Sequence, residues 1–279
     1  DAGPTPSNFF TGDLSELIMI PRAITSNEQE QIETYARNKY SLLDPIYYSD
    51  DNKLWLDATQ RLYFKEAEST PINNFEQIPK WRDFRGKKSV NATQNTSTNQ
   101  PLYRTNQISG LPAVDFDGID NFLTVSDNTV EQLSNSPHTI IFVVQPSANL
   151  GATEAIMAWN GAGGENKELI FIESVTGFLQ IFYSDATDII SENIRNVTSI
   201  ISIVVNGNNV KTYRDGVLKS DLSKTPFGTA TQFNIGMELD TATPSNFYDG
   251  LLGELLLYNR VLTDTERQTI ENDLIKKWT

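Results

Sequence analysis

The chain has no cysteine and a single histidine, His138, in 279 residues. The first absence excludes disulfides, thiolate nucleophiles and cysteine-based zinc sites. The second leaves a Ser-His-Asp triad one imidazole to draw on, and His138 lies in Ser136-Pro-His-Thr139 with no Gly-x-Ser-x-Gly elbow anywhere in the chain. A structural histidine is the expectation. Basic residues are scarce: 22 Lys and Arg stand against 36 Asp and Glu, a formal net charge of −14. Nucleic acid is thereby excluded as a partner, because a phosphate backbone needs clustered Lys and Arg. No apolar run approaches the roughly 18–20 residues needed to cross a bilayer, so membrane insertion is not expected. There is no basic-then-apolar leader, and the chain opens on Asp1 rather than Met, which suggests a processed product, a fragment or part of a longer chain. Gly161-Ala-Gly-Gly164 lacks the Lys-Ser/Thr of a phosphate loop and reads as a plain loop.

What is present begins with a repeat. Thr5-Pro-Ser-Asn-Phe-Phe-Thr-Gly12 returns as Thr243-Pro-Ser-Asn-Phe-Tyr-Asp-Gly250, an offset of 243 − 5 = 238. In the same register Glu16, Leu17, Arg22, Thr25, Glu28, Ile32, Glu33 and Lys39 recur as Glu254, Leu255, Arg260, Thr263, Glu266, Ile270, Glu271 and Lys277. Tyr40 falls on Trp278. So many identities without a gap mark a true repeat. Each copy reads as a buried strand, Leu17 to Ile20 or Leu255 to Tyr258, then a turn, then a helix opened by the Thr-x-x-Glu capping box. Glu254 and Arg260 are expected to pair across that corner. Residues 1–41 are therefore expected to be a strand-helix segment like the end of a preceding unit, and residues 42–279 a domain of their own. The segment could belong to a tandem array, or engage further copies of the protein by strand addition.

Between the repeats the pattern is all-β. Ile140 to Val144 and Ile200 to Val205 are apolar runs suited to strands buried on both faces. Asn206-Gly207-Asn208, Asp215-Gly216 and Thr176-Gly177 supply hairpin turns. Only Asn128 to Leu133 suggests a further helical turn. Glu66 to Thr105 is polar, and Asn91 to Gln100 reads as a surface loop.

Four segments in order then resemble the laminin G-like branch of the concanavalin A-like lectin/glucanase superfamily: Leu54-Trp-Leu-Asp-Ala58, Trp81-Arg-Asp-Phe-Arg-Gly86, Pro112 to Leu123, and Gly253 to Asp264. Tyr213-Arg-Asp-Gly216 fits the family's aromatic-x-Asn/Asp-Gly turn. The resemblance spans about residues 50–279. It implies a two-sheet antiparallel jelly-roll sandwich with a C-terminal helix packed on it, and a place outside a cell, on its surface or on a virion. It leaves open whether the domain binds glycans, adheres with calcium, cleaves sugars or serves as structure.

The candidate sites are three. The glucanases of this superfamily carry catalytic carboxylates at alternating positions of one strand; the nearest stretch, Glu168-Leu-Ile-Phe-Ile-Glu173, spaces its acids by five and sends them to opposite faces. No catalytic residue is assigned. Asp115, Asp117, Asp120 and Asn121 crowd around Gly118 and, with Asp249, form a candidate calcium set; the same Asp-Gly-x-Asp pattern also makes a tight turn without a metal. Calcium is the one cofactor expected. A sugar platform would draw on Trp81, Tyr103, Trp159 with Asn160, or Tyr183 with Asp185. The reading is a non-catalytic, lectin-like adhesion module for a glycan or a surface protein. The rival is a structural repeat unit of a virion, fibre or surface layer, and a glycoside hydrolase comes third.

Overall fold

The computed structural model describes residues 17–23, 32, 44–60, 64, 71–84, 90–149, 151–183, 186–225, 228–240 and 243–279. The chain divides into two compact units, residues 1–44 and 45–279. Most of the strand-helix segment expected over residues 1–41 lies outside the described residues, as does Asp185.

The second unit is a sandwich of two antiparallel sheets. The first sheet runs, in spatial order, β15 (Val217–Ser223), β14 (Asn209–Arg214), β13 (Ser199–Asn206), β8 (His138–Pro146), β19 (Asp249–Tyr258), β6 (Leu111–Asp117), β5 (Leu102–Ile108) and β2 (Glu76–Gln77), with β1 (Asn52–Asp57) also paired to β19. The second runs β12 (Ala186–Ile190), β11 (Leu179–Phe182), β10 (Asn166–Ile172), β9 (Glu154–Asn160), β16 (Gln232–Ile235), β7 (Leu123–Val125), β4 (Asn91–Thr93) and β3 (Lys80–Arg82). A small pair, β17 (Glu238–Asp240) with β18 (Thr243–Ser245), contacts β9 and β10. One helical turn, α1 (Asn128–Glu131), is capped by Asp127, whose side chain accepts from the Thr129 and Val130 amides. The long helix α2 (Asp264–Trp278) packs on β13 and β8.

The apolar runs became central strands, as their composition requires. Every residue from His138 to Val144 is buried, and so is every residue of β9. The turns fall where Gly allowed them: β13 and β14 are joined across Gly207-Asn208, β14 and β15 across Asp215-Gly216. Between the sheets Trp159 stacks on Phe233 at 4.2 Å and donates to the Val130 carbonyl at 2.9 Å. His138 faces the same interior. Its Nε2 stands 3.3 Å from Glu168, and this fully buried pair is structural. Burial opposes charge on the imidazole, but the neighbouring carboxylate outweighs it and the histidine pKa is raised.

Two expectations need correction. Asn91 to Gln100 is not a bare loop: Asn91–Thr93 is β4, and Ala92 and Gln94 are buried. A three-residue strand is too short to show periodicity. Glu254 and Arg260 do not pair. Arg260 binds Asp51 at 2.8 Å and Glu266 at 2.7 Å, because it lies in the turn just ahead of α2 and faces its first turn. Glu254 instead points toward the end of α2. Its carboxylate accepts from the Trp55 indole (2.7 Å), the Trp278 indole (2.9 Å) and the Lys277 ammonium (2.7 Å).

Candidate functional site

At one end of the sandwich the loop after β6, the loop after β8 and the entry to β19 meet around an open pocket of about 110 Å³. Its walls are Asp117, Gly118, Asn149, Ala152, Glu154, Phe247 and Asp249. Each wall has a local cause. Asp117 ends β6 and folds the chain back on itself: one carboxylate oxygen accepts from the amides of Ile119 (2.9 Å), Asp120 (3.3 Å) and Asn121 (3.4 Å). Gly118 turns there with φ +71°, and a Cβ at this position would stand 2.8 Å from the Asp249 Cβ. Only glycine lets Asp117 and Asp249 sit directly opposite one another in register. Asp249 then accepts from the Ser147 hydroxyl at 2.7 Å and the Asn149 amide at 2.9 Å, which ties the β8 loop to the rim.

The floor is held by a buried ion pair. Arg195 donates to Glu154 at 2.7 Å and to the Ala152 carbonyl at 3.3 Å. Burial raises the Glu154 pKa, and Arg195 works against that rise. The aromatic wall is delivered from the outer face of the second sheet, the side away from Trp159. There a chain of side chains points one way: Thr124 to Asn234 (2.9 Å), Asn234 to Asn160 (2.8 Å), Asn160 to Asn166 (2.6 Å), and Asn166 on to Glu238 in β17. Glu238 also accepts from Asn246, whose backbone is left-handed (φ +48°). The Ala155 amide donates to the Asn246 carbonyl at 2.7 Å. Phe247 follows, half-buried, its ring 6.5 Å from that of Phe122. The polar chain therefore fixes the segment that places Phe247 and Asp249.

The expected metal ligands do not converge. Asp115 points to Arg104, which it binds at 2.7 Å, and burial lifts its pKa while Arg104 opposes the rise. Asp117 serves the turn, and Asn121 is buried with its amide 3.3 Å from Asp120. Among the described residues no three His, Asp or Glu side chains come together as a metal would require. Calcium prefers roughly six to eight oxygens, and of the expected set Asp117 and Asp249 are the ones that line the rim pocket. The expected sugar platform also fails on burial. Trp81, Tyr103, Trp159, Asn160 and Tyr183 are fully buried; these rings are core, and Asn160 is the middle of the polar chain. Of the expected site residues the rim brings together Asp117 and Asp249. Asn149, Glu154 and Phe247 were missed. The repeated Thr-Pro-Ser-Asn-Phe was the signal that could have flagged Phe247.

Two facing antiparallel sheets with Greek-key crossings and a polar pocket at the rim define a jelly-roll β-sandwich. The chain belongs to the concanavalin A-like lectin/glucanases superfamily, whose laminin G family model matches residues 117–266. No curated protein matches the sequence. Among solved structures, the Trypanosoma rangeli sialidase in complex with sialic acid is similar over 90% of this chain and 40% of its own, at 12% identity and a TM-score of 0.58. Botulinum neurotoxin type C, whose cell entry depends on interaction with two ganglioside molecules, is similar over 81% of this chain and 51% of its own, at 16% identity and a TM-score of 0.53. Domain 4 of AbnA, an extracellular arabinanase of Geobacillus stearothermophilus in complex with arabinotriose, covers 62% of this chain and 80% of its own, at 19% identity and a TM-score of 0.46. The chain thus spans about half or less of the sialidase and toxin chains, and the likeness is one of fold.

Proposed function

We propose that the protein is a non-catalytic, extracellular binding module that takes a neutral glycan at the rim pocket. The observation that carries this reading is the pairing of a half-buried aromatic, Phe247, with hydrogen-bonding groups on Asp117, Asn149 and Asp249 around one opening. Sugars present apolar C–H faces and hydroxyl edges, which call for an aromatic wall beside a few fixed polar groups. The charge of the pocket selects among sugars. Arg195 beneath it is buried and bound to Glu154, and among the described residues the walls carry carboxylates and no cation. Carboxylates accept from sugar hydroxyls and repel an anionic sugar. The sialidase and toxin of similar fold have sialic acid and ganglioside ligands, and the pocket chemistry argues for a different, uncharged one here.

The absence of catalysis is supported by what the acids do. Glu168 is committed to His138 in the core, and Glu173 closes a turn by accepting from the Val175 and Thr176 amides. The test is a screen of neutral and sialylated oligosaccharides against the full chain, followed by titration calorimetry. Phe247→Ala is expected to weaken binding of a neutral glycan by about tenfold or more, roughly the 1–2 kcal/mol of a lost aromatic contact, with an unchanged melting midpoint. Binding of sialylated glycans only, or binding indifferent to Phe247→Ala, would refute the assignment.

A further inference from the structure

The repeated segment carries more than a sequence likeness, because the second copy shows what each repeated residue does. Leu255, Leu256 and Leu257 are fully buried in β19, the strand flanked by β8, β6 and β1. Their counterparts Leu17, Ile18 and Met19 are 66%, 47% and 81% exposed. The buried strand expected over Leu17 to Ile20 is not formed, and three consecutive large apolar side chains stand exposed where the second copy buries them. The corner that follows keeps its local form. The Arg260 guanidinium donates to the next carbonyl, that of Val261, at 3.2 Å, and Arg22 donates to the next carbonyl, that of Ala23, at 3.0 Å.

The residues that reach from this corner into the sandwich body are retained. Glu254 gathers Trp55, Trp278 and Lys277, and its match is Glu16. Lys277, which also binds Asp57 at 2.9 Å, is matched by Lys39. Arg260, bound to Asp51, is matched by Arg22, and the capping box Thr263 with Glu266 by Thr25 with Glu28. One difference is compensated. A Cβ on Gly253 would meet the six-membered ring of Trp278 at 2.9–3.1 Å. The first copy carries Ser15 at the position of Gly253 and the smaller Tyr40 at the position of Trp278. In sequence, the side chain gained at one position goes with ring volume lost at the other.

We propose that residues 5–41 are the closing strand and helix of another sandwich of this design, joined in tandem ahead of them in the same polypeptide. The match supports a tandem rather than an exchanged arm, for it begins at Thr5-Pro-Ser7, the counterpart of β18, before the closing strand itself. A second molecule of this chain also has its slot filled by its own β19 and α2. The receiving body presents an Asp and a Trp-x-Asp strand in the places of Asp51, Trp55 and Asp57. Its rim pocket keeps an aromatic, Phe9 for Phe247, and exchanges Asp249 for Thr11, so successive sandwiches differ in what they bind.

The test transplants the segment. In the full chain, residues 243–279 are replaced by residues 5–41, and thermal unfolding is followed beside the parent. The chimera is expected to unfold cooperatively below the parent, since Gln29 replaces Arg267, which stacks 3.5 Å over the Tyr213 ring. Glu16→Ala in the transplanted copy is expected to lower its midpoint by roughly 10 °C, as loss of a buried charge cluster does. No cooperative transition in the chimera, or indifference to Glu16→Ala, would overturn the proposal. Self-association of the unaltered chain that Leu17→Asp abolishes would also overturn it, in favour of a second molecule as partner.

Discussion

Glu254 on strand β19 and Trp278 at the end of α2 are joined by a buried 2.9 Å hydrogen bond from the indole to the carboxylate. The same carboxylate takes the Trp55 indole from β1, so one acid holds a strand, its neighbour and the helix that covers them. Its pKa is raised to about 6, by burial first and then by the charge of Asp57, with Lys277 opposing.

A pH dependence follows. Below about 4.5 the group is protonated folded or unfolded; between about 4.5 and 6 only the folded state keeps the proton. Stability therefore falls as pH rises through that window, by up to about 2 kcal/mol for this group. Glu266, held down to about 2 by Arg260, acts in the opposite sense at lower pH: its contribution is present above about 4.5 and is lost as pH falls through about 2. Melting midpoints measured from pH 7 to 3 should rise on acidification to about 4.5 and then drop. Glu254→Gln should flatten the first limb. A parallel profile in that variant would show that the slope arises elsewhere.

The contact of Gly253 with Trp278 should be tunable. Gly253→Ser puts atoms where the tryptophan ring lies and is expected to cost about 1–3 kcal/mol by overpacking. Trp278→Tyr alone should cost a comparable amount through the lost volume and a disturbed bond to Glu254. The double variant, which reproduces Ser15 with Tyr40, should be more stable than the sum of the two costs predicts. Denaturant titration of the four proteins measures that coupling.

Asn160 never touches the pocket, yet it should matter there. Asn160→Ala leaves the buried Asn234 amide without its acceptor and the half-buried Asn166 carbonyl oxygen without its donor, at about 1–3 kcal/mol. The loosened chain ends at Glu238 and Asn246, so amide exchange should quicken at Gly236 and Tyr248, and glycan affinity should fall with Phe247 intact. Exchange confined to β9 and β16 would contradict the coupling.

Millimolar calcium should leave the melting midpoint of chelator-treated protein where it was. A ligand at a hundred times its dissociation constant would add about 2.7 kcal/mol, a shift of several degrees. Such a shift, removed by Asp117→Ala, would mean that the rim rearranges to admit the ion.

The sequence showed most of the framework and little of the pocket. Hairpin turns at Asn206-Gly207 and Asp215-Gly216 were readable because left-handed backbone favours a few residue types, and the capping box of α2 because its two bonds are local. The pocket draws Asn149, Glu154 and Phe247 from segments that meet only through strand order, and apart from the repeat that contains Phe247 nothing near them marks it. The crowded Asp115 to Asn121 looked like a metal loop in one dimension. A partner on β5, Arg104, took Asp115 out of it, although strand alternation leaves it on the same face as Asp117. The aromatics suffered the reverse error: an indole that suits a sugar suits a core equally well, and only burial tells them apart.

The placement of β19 sets an order of events during synthesis. It lies mid-sheet between strands made long before it: β8 ends at Pro146 and β19 begins at Asp249. At roughly 5–20 residues per second, a ribosome needs on the order of 5–20 s to cover that stretch. For that time the nascent sheet carries a slot whose edges can pair with any extended chain nearby. The last strand to emerge is the one that closes it, so the sandwich is finished all at once rather than strand by strand.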